Sequence, residues 1–236
     1  MSAFIPPERP VNANLEQARA MDAPLSARLA AYDAMLTESR PASAAAYGKL
    51  VDHLIKYDVG GAVLKIGTTL PAFLLPDETG TLVSSDVLLQ QGPLVISFNR
   101  GNWCPYCTLE LDALQASHAV IQKSGSTLVS ITPEIATFNR RLKNRLALDF
   151  PVLTDLDNGY ALEAGLAVML TPEIMAVYEQ ANIQIAAFQR NAGSILPIPA
   201  TVLVDRQGTI RHSFVNADFR LRFDPDALHD ALAELA

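Results

Sequence analysis

The chain has 236 residues, 50% of them apolar and 18% charged, with a formal net charge of −7 at pH 7. This composition is typical of an acidic globular protein, and it argues against a general surface for nucleic acids or anionic membranes. No apolar run approaches the roughly 20 residues that a transmembrane helix needs, and no secretory signal pattern begins the sequence. We therefore expect a cytoplasmic protein with no membrane and no nucleic-acid partner.

Residues 1–61 are predicted to form an N-terminal helical extension. Apolar residues recur at three- or four-residue steps over 12–39, and an alanine-rich segment at 42–57 predicts a second helix. Pro41 separates these two helices. Because a face rich in alanine and leucine cannot form a core alone, we expect the extension to clasp the main domain or to form a homodimer interface.

Residues 62–236 are predicted to form an α/β domain in which strands alternate with helices. Helices are predicted at 108–123, 133–146 and 172–190, and a last helix begins at Asp224. This order predicts a mixed central sheet with helices on both faces. The predicted strands are 93–98, 126–132, 150–154, 199–205 and 209–215, and the last two form a hairpin.

The two cysteines of the chain, Cys104 and Cys107, form a Cys-Pro-Tyr-Cys motif between a predicted strand and a predicted helix. The N-terminus of a helix favours an anion, and the thiolate is the reactive form of cysteine. This placement predicts a redox-active dithiol. A zinc site would need about four ligands, and the histidines form no suitably spaced pair, so we expect no metal. Two inert core cysteines are the other alternative.

Four stretches of the predicted domain, residues 66–80, 98–111, 150–155 and 197–208, resemble a known family. In these stretches the chain is similar to the peroxiredoxin-like group of the alkyl hydroperoxide reductase/thiol-specific antioxidant (AhpC/TSA) family, within the thioredoxin-like superfamily. The resemblance implies a thioredoxin-like fold with no cofactor. It also implies a thiol-dependent peroxidase, with a hydroperoxide as the substrate and thioredoxin or a glutathione-type thiol as the reductant.

Three positions depart from the pattern that this family usually shows. Cys104 stands where a threonine is usual, and Arg100 where a proline is usual. Pro199 stands where an arginine usually begins the late strand beside the thiolate. Proline at that place resembles thioredoxins and glutaredoxins, in which it is usually cis, so we expect a cis Ile198–Pro199 peptide facing the dithiol.

The Cys-Pro-Tyr-Cys motif itself resembles the dithiol of glutaredoxins. A thiol-disulfide oxidoreductase, which would exchange with protein or glutathione disulfides, is therefore the main alternative function. A non-enzymatic redox sensor or scaffold, whose helical extension binds a partner, is a weaker alternative.

The resemblance assigns catalysis to Cys104 and Cys107. In the family's register Cys107 attacks the peroxide, whereas comparison with thioredoxins names Cys104 as the more exposed thiol and the one that attacks in disulfide exchange. Residues nearby are expected to support the substrate or the thiolate: Arg100 as the nearest cation in sequence, Trp103 as a shield against water, Thr108 as a hydrogen-bond partner of a peroxide oxygen, and Pro199 opposite the dithiol. Glu110 is expected to be a solvated helix residue, and His118 to have no catalytic part.

Overall fold

A computed structural model describes residues 12–61 and 63–235. The helices are α1 (Ala13–Arg19), α2 (Leu25–Ser39), α3 (Pro41–Lys56), α4 (Ser85–Gln91), α5 (Pro105–Lys123), α6 (Ala136–Leu146), α7 (Gly159–Glu163), α8 (Pro172–Gln180), α9 (Ile185–Gln189) and α10 (Pro225–Ala233), with a short 3-10 helix at Leu156–Asn158. The strands are β1 (Leu74–Pro76), β2 (Leu82–Ser84), β3 (Leu94–Phe98), β4 (Thr127–Thr132), β5 (Val152–Thr154), β6 (Ala167–Met169), β7 (Ile195–Pro197), β8 (Ala200–Val204) and β9 (Ile210–Val215).

Five strands form the central mixed sheet, in the order β5-β4-β3-β8-β9. The first three run parallel, and β8 and β9 are each antiparallel to their neighbour. All five residues of β3 are buried, as expected for the middle strand of a sheet with helices on both faces. The arrangement is the α/β, thioredoxin-like fold that the sequence predicted.

The register of the sheet brings the segment after β3 beside the start of β8. Phe98, the last residue of β3, is paired with Ala200, the first residue of β8. The chain therefore leaves β3 towards the cysteines at the same edge of the sheet where Pro199 precedes β8. The predicted cis peptide is wrong: none of the described residues has a cis bond, and Ile198–Pro199 is trans. The chain runs directly from β7 into β8, and the Ile198 N–H donates to the carbonyl of Leu166 at 2.8 Å.

The first three helices, which we call the arm (α1–α3), pack on the domain of their own chain. Buried residues of the arm share one apolar cluster with the two cysteines: Leu29, Tyr32 and Leu36 from α2, and Leu50, Val51 and Leu54 from α3. The single helix predicted over 12–39 is two helices, because Pro24 lies at the N-cap of α2, where proline cannot continue the preceding turn. The arm thus clasps the domain, which was one of the two expectations for it.

Several boundaries and short elements differ from the sequence-based expectations. Helix α5 begins at Pro105, because Cys104 is already its N-cap, and α6 begins only at Ala136. The helical segment predicted at 172–190 is divided into α8 and α9 by a turn at Asn182, which has a φ of +56°. The sequence patterns gave no sign of α4, α7 or the two-stranded antiparallel sheet of β6 and β7, which are too short to show a periodicity. None of the helices in the described ranges combines the length and apolarity that crossing a membrane requires.

Candidate active site

The two cysteines lie at the first turn of α5, with both thiols free. Cys104 is the N-cap residue, and its carbonyl accepts the N–H of Thr108 at 3.0 Å, which begins the helix. Proline at the first helical position removes one N–H that would otherwise lack a partner. Both cysteines are completely buried, so the expectation of a more exposed Cys104 is wrong, because the arm covers this end of α5.

Arg100 lies directly against both sulfurs. Its Nη2 donates to Cys104 Sγ at 3.3 Å, and its backbone N–H donates to Cys107 Sγ, also at 3.3 Å. The guanidinium is stacked 4.0 Å from the ring centroid of Phe219, and Nη1 donates to Tyr178 Oη at 3.2 Å. Arg100 is only 4% exposed, and no carboxylate in the described ranges forms an ion pair with it. The nearest cation in sequence is therefore also in contact with the dithiol.

A second buried arginine, Arg222, reaches Cys107 from the segment between β9 and α10. Its Nη2 lies 3.6 Å from Cys107 Sγ, and its Nε donates to Glu110 Oε2 at 2.7 Å. Sequence reasoning missed this residue, because it lies 115 positions from Cys107 and no local pattern points to it. Arg222 thus supplies, from a different part of the chain, the cation that Pro199 does not provide at the start of β8.

Glu110 is buried rather than solvated, so the expectation for it is wrong. It is 1% exposed, and besides Arg222 it accepts hydrogen bonds at Oε1 from Thr201 at 3.0 Å and Ser97 at 3.4 Å. The side of α5 that carries Glu110 faces the sheet, where Ser97 of β3 and Thr201 of β8 lie. Burial raises the pKa of Glu110, while Arg222 opposes that rise.

The two thiols differ in acidity. Burial alone would raise the pKa of Cys104, but the hydrogen bond from Cys107 and the charges of Arg100 and Arg222 outweigh it. The pKa of Cys104 therefore lies well below the ordinary thiol value. Burial and the adjacent Cys104 hold the pKa of Cys107 well above that value. The environment thus favours one thiolate, on Cys104, and one thiol, on Cys107.

The remaining residues singled out from the sequence have separate positions. Trp103 is 3% exposed and packs edge-on against Tyr178, with ring centroids 5.1 Å apart. The Thr108 hydroxyl donates to the Cys104 carbonyl at 3.1 Å and accepts from Arg145 Nη2 at 3.2 Å, so its contacts are to backbone and arginine. Pro199 is buried just before β8. His118 packs on Phe150 with ring centroids 5.6 Å apart.

Aromatic side chains from the arm close the site. Tyr47 of α3 packs against Tyr178 and Phe219, with centroid distances of 6.0 and 5.7 Å, and these two residues are themselves in contact with Arg100. Tyr32 of α2 packs edge-on against Tyr106, inside the Cys-Pro-Tyr-Cys motif, at 5.1 Å. The dithiol is thus enclosed by tyrosine and phenylalanine rings rather than open to solvent.

A buried carboxyl, Glu134, supports the loop that leads to the dithiol. Its Oε2 accepts the N–H of Asn102 at 2.9 Å, while its Oε1 is buried without a hydrogen-bond partner. Burial raises the pKa of Glu134 to about 8. Gly101 lies so close that a Cβ there would be 2.4 Å from the Glu134 carboxyl carbon. In the described part of the chain no three His, Cys, Asp or Glu side chains are grouped as metal ligands.

The sequence of this chain is similar to those of known proteins. The model of the AhpC/TSA family matches residues 66–213. A Mycobacterium tuberculosis protein, provisionally named as a peroxiredoxin, is 28% identical over 114 residues, which are 48% of this chain and 74% of that protein. The chloroplastic peroxiredoxin Q of Oryza sativa subsp. japonica is 30% identical over 108 residues, 46% of this chain and 49% of that one.

Solved structures show the same fold. The crystal structure of peroxidoxin BcpB from Mycobacterium tuberculosis covers 73% of this chain and 96% of its own, with a TM-score of 0.57 and 24% identity. Peroxiredoxin Q of Xanthomonas campestris covers 73% of this chain and 97% of its own, with a TM-score of 0.53 and 17% identity. The chain therefore belongs to the AhpC/TSA family, as a peroxiredoxin-like protein of the thioredoxin superfamily.

Proposed function

We propose that this chain is a thiol-dependent peroxidase that reduces hydroperoxides through its Cys-Pro-Tyr-Cys dithiol, with Cys104 as the attacking thiolate. The observation that carries the proposal is the contact of Arg100 Nη2 with Cys104 Sγ at 3.3 Å, in a site where both residues are buried. Family membership supports the reaction, and the contact supports the choice of sulfur.

Charge balance supports Cys104 over Cys107. A buried charge is costly unless an opposite charge pairs with it. Arg222 already has Glu110 as its partner, whereas Arg100 has no carboxylate partner among the described residues. One negative charge is therefore missing from the centre, and a thiolate on Cys104 supplies it. This differs from the family's register, which places the attack on Cys107.

The proposed reaction has two steps. The Cys104 thiolate attacks one peroxide oxygen, an S–O bond forms as the O–O bond breaks, and the leaving alkoxide or hydroxide takes a proton. Sulfur loses two electrons and becomes a sulfenic acid, while the peroxide gains them and becomes an alcohol or water. Cys107 then closes the Cys104–Cys107 disulfide with release of water. The two residues lie one helical turn apart, close enough for that bond.

A thioredoxin- or glutathione-type thiol is the proposed reductant, and the cytoplasm, where such thiols are kept reduced, is the proposed location.

Residues 62–236 are the proposed peroxidase domain, and residues 1–61 are its proposed extension. The buried face of the arm is occupied inside the chain, so a homodimer would need a different surface.

The decisive experiment traps the sulfenic acid. Cys104→Ser and Cys107→Ser proteins are each oxidised with one equivalent of hydrogen peroxide, or of an organic hydroperoxide, in the presence of a dimedone-type probe. We expect labelling of Cys104 in Cys107→Ser and little labelling of Cys107 in Cys104→Ser. The reverse pattern would move the attack to Cys107, and the absence of label in both proteins would refute the peroxidase.

Thiol-disulfide exchange is the second candidate. A low-pKa cysteine at the first position of the motif, at a helix N-cap, is the arrangement such exchange uses. Reduction of insulin or of a glutathione mixed disulfide by the reduced wild-type protein, measured beside its stopped-flow oxidation by peroxide, separates the two functions. Faster exchange with the disulfides than with any hydroperoxide would favour this second candidate.

A further inference from the structure

The guanidinium of Arg222 is aimed at Cys107 by contacts that do not involve sulfur. Nε donates to Glu110 Oε2 at 2.7 Å, and Nη1 donates to the carbonyl oxygens of Leu221, at 2.7 Å, and Phe219. The remaining group, Nη2, lies 3.6 Å from Cys107 Sγ. Arg222 is 7% exposed, so water does not compete strongly for these donors. Its planar fork therefore presents one fixed donor to one sulfur.

Glu110 is in turn fixed from the other side. Its Oε1 accepts from Thr201 and Ser97, and its Oε2 accepts from Arg222. Because this carboxylate balances the charge of Arg222, the pair adds no net charge to the centre, in contrast to Arg100. Arg222 lowers the pKa of Cys104 less than Arg100 does. The pair therefore chiefly supplies direction at Cys107, while Arg100 supplies most of the charge that favours the Cys104 thiolate.

We propose that Arg222, oriented by Glu110, is a positioning residue for the second half-reaction, in which Cys107 closes the disulfide on oxidised Cys104. This inference rests on the proposed peroxidase function. Once Cys104 is a sulfenic acid, its sulfur no longer carries the negative charge that balances Arg100. The negative charge has left with the alkoxide or hydroxide, so the unbalanced Arg100 now favours loss of the proton from Cys107, whose Sγ already receives the backbone N–H of Arg100 and the Nη2 of Arg222.

The Cys104–Cys107 disulfide forms without a further reactant. The Cys107 sulfur loses its proton and attacks the Cys104 sulfur, so that an S–S bond forms and the S–O bond breaks. Hydroxide leaves and takes up a proton to give water. The Cys107 sulfur is oxidised by one electron and the sulfenic sulfur is reduced by one. Arg222 holds the attacking Cys107 sulfur in place as this sulfur becomes negative.

Rapid mixing with hydrogen peroxide tests this, because the two steps differ in concentration dependence. In Arg222→Gln we expect the phase whose rate depends on peroxide to stay within about threefold of wild type. The phase independent of peroxide should slow at least tenfold, about 1.4 kcal/mol of barrier, and sulfenic acid should accumulate on Cys104. Arg222→Lys, which keeps the charge, should recover part of the loss. Arg211→Gln, which removes an exposed arginine paired with Asp205, should change neither phase.

Removing one member of a buried pair can prevent folding, so a second variant is needed. Arg222→Met combined with Glu110→Gln removes both charges together. Proteins often tolerate the joint replacement of both members of a buried ion pair. A folded double variant should show the same slow second phase. An unchanged second phase, or equal slowing of both phases, would overturn the inference alone. Absence of the peroxide-dependent phase in the wild-type protein would overturn the proposed function and, with it, this inference.

Discussion

The hydroxyl of Tyr106, inside the Cys-Pro-Tyr-Cys motif, donates a hydrogen bond of 2.6 Å to Oδ1 of Asp33 in the arm. The other carboxylate oxygen of Asp33 lies 3.5 Å from Nη1 of Arg220. Arg220 lies two positions before Arg222, which contacts Cys107. One carboxylate of the arm thus joins the dithiol turn to the segment that supplies the second buried arginine. Because both sulfurs are fully buried, a hydroperoxide or a reductant reaches them only when the residues that cover them move apart.

Tyr106→Phe should loosen the arm without altering the thiolate. Loss of one hydrogen bond to a charged acceptor should lower the free energy of unfolding by about 1–2 kcal/mol, because Asp33 is partly exposed and regains water. Alkylation of the cysteines by a maleimide, which needs local opening, should become about fivefold faster or more. Thiolate absorbance at 240 nm should stay as in wild type. Tyr57→Phe, at an exposed tyrosine, is the control. An unchanged alkylation rate in a destabilised Tyr106→Phe protein would show that access does not run through this contact.

Arg100→Gln should lower the thiolate fraction of the reduced protein at neutral pH. The uncharged amide removes the charge that balances the Cys104 sulfur, so the pKa of Cys104 rises. We expect the pH titration of absorbance at 240 nm to move upward by one unit or more, and the peroxide-dependent phase to slow at least tenfold at pH 7. Arg206→Gln, at an exposed arginine, should titrate as wild type does. A wild-type titration curve in Arg100→Gln would mean that the helix N-terminus and Arg222 are sufficient.

Glu134 should make the protein less stable as the pH rises towards alkaline values. Its pKa is about 8 in the folded protein, against an ordinary glutamate pKa of 4.5, so between these values the native state binds more protons than the unfolded state. Stability therefore falls as pH rises through this window, by on the order of a few kcal/mol from this one group. Urea unfolding of Glu134→Gln at pH 5.5, 7 and 8.5 should show a flatter profile than wild type. Glu179→Gln, at an exposed glutamate, should reproduce the wild-type slope, and an equal slope in Glu134→Gln would contradict the assignment.

Gly101→Ala, in the loop before the dithiol, should lower the free energy of unfolding by more than backbone strain alone explains. Gly101 has a φ of +117°, and its added Cβ would meet the Glu134 carboxyl at 2.4 Å. Gly80, with a φ of +94°, has nothing within 4 Å of such a Cβ, so Gly80→Ala measures strain without a clash. We expect about 1–2 kcal/mol of destabilisation for Gly80→Ala and clearly more for Gly101→Ala, both by urea unfolding. Equal losses would remove the argument for close packing against Glu134.

The sequence alone predicted the parts of the fold that have strong local patterns. β3 is a continuous apolar strand, α5 is long enough to show a helical period, and the cysteines fall between them, so the dithiol at a helix N-terminus could be read from neighbouring residues. The arm was predicted as helical for the same reason. Short elements such as α7 and the paired strands β6 and β7 could not be predicted, because their formation depends on neighbours distant in sequence.

Only the tertiary structure decided how the site is charged and covered. Glu110 looks like a solvated helix residue until the sheet places Ser97 and Thr201 against it. Arg222 lies in the segment after β9. The antiparallel pairing of β3, β8 and β9 determines where this segment begins, and the segment then brings Arg222 to Cys107. Local sequence patterns record what lies within a few turns of a helix or along one strand. Contacts between buried charges depend on how the whole sheet and the arm close around them, and this closure is what favours Cys104 as the thiolate.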